Sequence, residues 1–232
     1  MDPDLVARSF ALLCDLQNEL HAALASLAGR QSQGFLDKYY NLSAGHINRA
    51  VEGFIFLRKA SRIDASKFLI RPAIEAMIRL EAVKRQPKLF FRIAHTERIK
   101  DRKWIGRAAV RRAINYDLVT EEKDWNEGKA RLIAQFPPGA LEEKELNLRD
   151  TAKEVGAIME DYYDSHYLMY CAYTHAALRA MTGSLNELTD PEDSATMSLC
   201  ALSGLDVVAS IGAATSNLES LRERRNQLYP AP

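Results

Sequence analysis

Helical period governs almost every long stretch of this chain, and no stretch sustains the alternation of a half-buried strand. That single pattern confines the protein to helix packed on helix. Proline, glycine and short polar residues then mark where each helix starts and stops. Asp2-Pro3 opens a first helix that Gly29 ends. A second is expected from about Ser32 to Lys59. Asp64 caps a third, ending near Gln86, with Pro72 inside it, where the missing N–H kinks or restarts the helix. Pro87 opens a fourth, running to about Asn115 with a weak point at Gly106. A fifth starts at Thr120 and stops at Pro137-Pro138-Gly139. The stretch 137–149 reads as a loop. Asp150 caps a sixth helix running to Met181, and Thr189-Asp190-Pro191-Glu192 starts a last one that reaches Leu228. Long helices with short connections imply an all-α antiparallel bundle of six to eight helices, one domain over residues 1–232, with a long C-terminal helix at 190–228.

Charge and cysteine usage narrow the function classes. Lysine plus arginine and aspartate plus glutamate both number 31 among the 232 residues, so net charge gives no reason to expect nucleic acid or an anionic membrane. Cys14, Cys171 and Cys200 are far apart and odd in number, which points to free thiols in a reducing compartment. The acidic start Met1-Asp2-Pro3-Asp4 is unlike a secretory signal. The weakly polar run Leu199–Ala214 is too short to span a bilayer and carries Asp206. The expected location is the cytoplasm, with no membrane partner.

Two helices carry polar groups that sit badly with their neighbours. Arg71, Glu75 and Arg79 follow i, i+4, i+8 and share a face. As an exposed ladder they would contribute about 0.2–0.5 kcal/mol per pair. Phe68, Leu69, Ile70, Ile74, Met77, Ile78 and Leu80 leave little room for a wide polar face, so part of the triplet is expected in a cleft or buried as an ion pair. A hundred residues on, Tyr163, Tyr167, Tyr170 and Thr174 form a second stripe, flanked by Tyr162, His166, Tyr173, Cys171 and His175. Such a stripe is commonly core. Each buried phenol, however, wants a partner, and Glu75 or Arg71 would supply one. The candidate ligand-binding set is Arg71, Glu75, Arg79, Tyr163, Tyr167, Tyr170 and His175. Arg71, Glu75 and His175 are the candidates if the site is catalytic.

The run Phe68-Leu-Ile-Arg-Pro-Ala-Ile-Glu75, followed by Tyr163, Tyr170 and Tyr173-Thr174-His175, resembles the bacterial domain-of-unknown-function family 5677 over roughly residues 45–182. The resemblance implies an Arg-x-x-x-Glu helix and a later tyrosine helix with a Ser/Thr/Val-His step, matched by Arg71, Glu75 and His175. It implies no activity. The helical RNases of the HEPN class use Arg-x4-6-His, and here no arginine lies at that spacing ahead of any histidine. An HEPN-like enzyme of phage defence or a toxin system would need Arg71 and His175 to converge from separate helices, Arg71 holding phosphate and His175 acting as acid or base.

Lys100, Lys103, Arg107 and Arg111 form a cationic stripe beside Trp104. It reads either as a nucleic-acid contact or as a solvated face neutralised by the acidic stretches near 117–127 and 142–145. His21, His46, His95, His166 and His175 show no metal-binding spacing, and no metal or cofactor is expected. The last helix is rich in small residues (Ala201, Ser203, Gly204, Ala209, Ser210, Gly212, Ala213, Ala214 and Ser216). Another helix can approach it closely, either from the same chain or from a second copy in a homodimer. The expectation is a cytoplasmic helical protein that binds a partner or small ligand at the Arg/Glu/Tyr/His cluster, with the HEPN-like RNase as the alternative.

Overall fold

A computed structural model of the protein describes residues 3–30, 34–110, 118–134, 144–174 and 190–230. The described residues are all-α. Helix α1 spans Pro3–Leu27, α2 Phe35–Lys59, α3 Ile63–Lys67, α4 Ile70–Arg85, α5 Leu89–Val110 and α6 Leu118–Ile133. Helix α7 spans Leu148–Val155 and α8 Ala157–Tyr162. A π-helical turn, Tyr163–Tyr167, leads into α9, Leu168–Thr174. Helices α10, Asp190–Ser210, and α11, Leu218–Leu228, complete the chain.

The core follows from apolar stripes at helical spacing. Leu12, Leu16, Leu20, Ala23 and Leu27 line one side of α1, and Ala44, Ile47, Val51 and Phe54 line α2; all are buried. They meet Ile74, Met77 and Ile78 of α4 and Met197, Cys200, Ala201 and Leu205 of α10 in one cluster. Helix α10 packs on α1, α2 and α4. Three of the small residues expected to admit a neighbour, Ala201, Ser203 and Gly204, are buried within the chain. A Cβ at Gly204 would lie 3.3 Å from Leu20 Cδ2, tighter than ordinary contact, so glycine permits the approach of α1. A second cluster, built on Val83, Leu89, Phe90, Phe91, Ile93 and Leu146, seats α5 beside α4.

Several boundaries differ from the expected ones, each for a local reason. The third expected helix is two. The chain breaks at Phe68–Leu69 and restarts at Ile70, so Pro72 falls in the first turn of α4, where its missing N–H leaves no bond unmade. Asp64 is not the N-cap of α3; Arg62 holds that position, and Asp64 lies in the first turn. Helix α6 begins two residues before Thr120. The cap of α7 is Asn147 rather than Asp150: the Asn147 side chain accepts the Asp150 N–H at 2.9 Å. The sixth expected helix is interrupted at Gly156, whose φ of 134° is closed to most L side chains. The last breaks at Gly212, with φ 88°. Helix α11 has no cap from its own Asn217 side chain. Glu19 of α1 serves instead, its carboxylate accepting the Ser216 and Asn217 N–H groups at 2.5 and 3.2 Å.

Candidate functional site

Arg71 and Glu75 come together one turn apart on α4. Arg71 Nε donates to Glu75 Oε1 at 3.0 Å, and both side chains keep about a quarter of their surface, at 23% and 25%. This pair is neither a solvated ladder nor a sealed core ion pair. The π-helical turn lies on α4 and supplies the third member: the Tyr167 hydroxyl donates to the same oxygen, Glu75 Oε1, at 2.8 Å. The Arg71 guanidinium lies 5.7 Å from the centre of the Tyr167 ring. Tyr163 stacks on Tyr167 with centroids 4.8 Å apart. Burial first, then the hydrogen bond and charge of Glu75, push the Tyr167 phenol well above its ordinary range. Tyr167 therefore stays protonated near neutral pH and acts as a donor. The half-buried Cys171 lies close enough to Tyr167 to add to the same shift. Two sequence-distant helices thus share one polar cluster made of Arg71, Glu75, Tyr163 and Tyr167.

The structure sends two expected members elsewhere. Tyr170 is fully buried and donates to Asp193 Oδ1 at 2.5 Å, not to Glu75. The π turn explains the departure. A turn closed by an i to i+5 bond takes one extra residue, and one residue is about 100° of rotation round a helix axis. Residues beyond Tyr167 therefore leave the stripe that α-helical spacing would give them. Arg79 turns to α5, where Nη2 donates to Glu97 Oε1 at 2.9 Å. His175 lies outside the described residues, and so does Arg111.

Asp193 organises a second, buried cluster. Its carboxylate is fully enclosed, pairs with Arg58 of α2, and lies 3.9 Å from Lys67 Nζ of α3. Arg58 and Lys67 keep 8% and 3% of their side-chain surface. Charges at that depth need partners, and here Tyr170, Arg58 and Lys67 converge on one carboxylate from three elements. Neither Asp193 nor its cations were among the candidates. A signal was present: Arg58 follows Phe54-Ile-Phe-Leu and Lys67 precedes Phe68-Leu-Ile, the same pattern of a cation in an apolar run that marked Arg71. Asp193 was hidden in a run that reads as helix-capping acid.

His166 is half-buried and stacks on Tyr162 at 4.4 Å. Burial lowers its basicity, opposed by Glu192. Its Nδ1 lies 2.8 Å from Ser165 Oγ, but that hydroxyl donates to the Asp161 carbonyl at 2.6 Å, so His166 is the donor in the pair and does not activate the serine. On the basic stripe, Lys100 and Lys103 are exposed, Lys100 lies 3.2 Å from Glu97, and the Arg107 side chain is outside the described ones. Glu122 of α6 pairs with Arg98 and Arg102 at 2.9 and 2.6 Å, bringing an acidic stretch onto the basic helix. Among the described residues no group of three or more His, Cys, Asp or Glu is placed to hold a metal ion. No helix among them is long and apolar enough to cross a membrane.

The model of a family of unknown function, DUF5677, matches residues 39–193, a span that holds the Arg71–Glu75–Tyr167 cluster and ends at Asp193. No curated protein and no solved structure matches.

Proposed function

We propose, for a chain that belongs to the DUF5677 family of unknown function, that this is a cytoplasmic binding protein whose Arg71–Glu75–Tyr167 cluster, partly exposed at Arg71 and Glu75 and buried at Tyr167, engages a polar ligand or partner segment. One observation carries the reading. Arg71 and Tyr167 both donate to Oε1 of Glu75, which fixes the carboxylate from two elements. Glu75 keeps a quarter of its surface, and Oε2 takes no donor from the described residues. A carboxylate held at one oxygen by two donors and backed by stacked rings suits recognition of an N–H or O–H donor. Tyr167 suits proton abstraction poorly, because its phenol is held protonated.

The test is an amide-shift titration of labelled protein with asparagine amide, arginine amide, AMP and a short single-stranded RNA. The expected result is a saturable response centred on α4 and the π turn with a donor-bearing probe, absent in Glu75→Ala. RNA cleavage by wild type and not by Arg71→Ala would replace this reading with the nucleic-acid-acting enzyme.

A further inference from the structure

A largely apolar groove with a few polar side chains lies away from the cluster, between α2, α4 and α5. Tyr39, Ser43 and His46 form its α2 wall, Arg79 its α4 corner, and Phe90 and Glu97 its α5 wall; its volume is about 360 Å³. Ligand cavities run from roughly 300 to 1,000 Å³, so this one is sized for a molecule built on about a single ring.

Its lining combines two chemistries. The ring of Phe90 is held edge-on by Phe35 and Tyr39, with centroids 4.7 and 4.9 Å away. Rings fixed in that way give a rigid apolar wall at little entropic cost. Of the charged lining residues, Glu97 takes Arg79 and, from outside the lining, Lys100 on a single oxygen, Oε1, at 2.9 and 3.2 Å. Two cations on one carboxylate leave a positive remainder. Arg79 engages Glu97 through Nη2, and a guanidinium presents further N–H groups in a fork matched to carboxylate. The exposed His46 and the Ser43 hydroxyl stand on the facing helix.

We propose that this groove binds a small aryl carboxylate, with its carboxylate on Arg79 and its ring against Phe90. The site is independent of the Arg71–Glu75–Tyr167 cluster and stands or falls separately from it. Glu97 is the internal competitor: it occupies part of the fork that the ligand's carboxylate would take.

The experiment uses 3-(4-fluorophenyl)propionate and its neutral amide as probes, with fluorine NMR line broadening on the full chain. Wild type is expected to bind the carboxylate saturably and the amide at least tenfold more weakly, the usual scale for losing a charge-assisted bond. Arg79→Gln should lose binding by a similar factor, and Ala94→Leu, which fills the groove, should abolish it. Glu97→Gln should tighten binding several-fold, an effect that mere loss of structure would not produce. Equal binding of acid and amide, unchanged binding in Arg79→Gln, weaker binding in Glu97→Gln, or no binding by wild type would each overturn the proposal. Circular dichroism melts confirm that the variants are folded.

Discussion

Tyr167 and Glu75, 92 residues apart in the chain, meet through a 2.8 Å hydrogen bond that makes one site of two helices. The bond should be measurable as a coupling. Tyr167→Phe and Glu75→Gln, made singly and together, should show an interaction energy of about 1 kcal/mol in denaturant unfolding, the scale of one half-exposed hydrogen bond. Strict additivity would mean that the contact does not hold the π turn on α4.

Asp193 should be far less replaceable. Asp193→Ala leaves Arg58 and Lys67 buried without their carboxylate, and removing one partner of a buried ion pair costs about 3–5 kcal/mol. Tyr170→Phe removes only the hydroxyl from the same carboxylate and should cost about 1.5–3 kcal/mol. The two variants are compared by chemical denaturation. A loss below about 1 kcal/mol in Asp193→Ala would show that the cluster is not held as described.

Glu19 sets an acid limb. Burial raises its pKa, but the four hydrogen bonds from Ser216 and Asn217 outweigh that, so it lies below the ordinary carboxylate value. A carboxylate depressed on folding contributes stability above its unfolded pKa and loses it as pH falls through the folded one. The thermal midpoint gap between wild type and Glu19→Gln should be full near pH 6 and close on acidification below the usual carboxylate range. A gap that widens towards acid would reverse the assignment.

Gly156 is a joint at which any side chain is strained. Its φ of 134° is strained for alanine, and a Cβ there would lie 3.2 Å from Arg85 Nη1. Gly156→Ala should destabilise by about 1–3 kcal/mol, the cost of holding a residue in a sparsely populated region. Asn147→Ala, which removes the cap of α7, should cost about 1 kcal/mol. Both are read from urea midpoints. A neutral Gly156→Ala would mean that α7 and α8 can join in a different geometry.

The all-α architecture and the Arg71–Glu75–tyrosine meeting were legible because both are written in local spacing. Apolar residues three and four apart give the stripes, and a cation among them asks for a partner. The division of the tyrosine stripe was not legible. A single π turn between Tyr163 and Tyr167 re-aims Tyr170, and nothing in residue type distinguishes that turn from α-helix. Arg79 shared the periodicity of Arg71 and Glu75, yet the neighbour it meets is set by where α5 packs, which is tertiary information. Asp193 looked like helix-capping acid because Asp190-Pro191-Glu192 is such a good helix start. Glu19 as a cap for α11 is a contact across nearly the whole chain, beyond any local reading.

The packing of α1 on α10 has a bearing on synthesis. Leu12, Leu16 and Leu20 are translated well before Met197, Ala201 and Leu205, which join them in one core cluster. Until α10 is made, α1 carries a leucine seam that lacks part of its cover, a surface on which nascent chains stick to one another or to chaperones. Completion of this core waits for α10 to leave the ribosome, so a ribosome stalled before α10 should hold an incompletely folded chain.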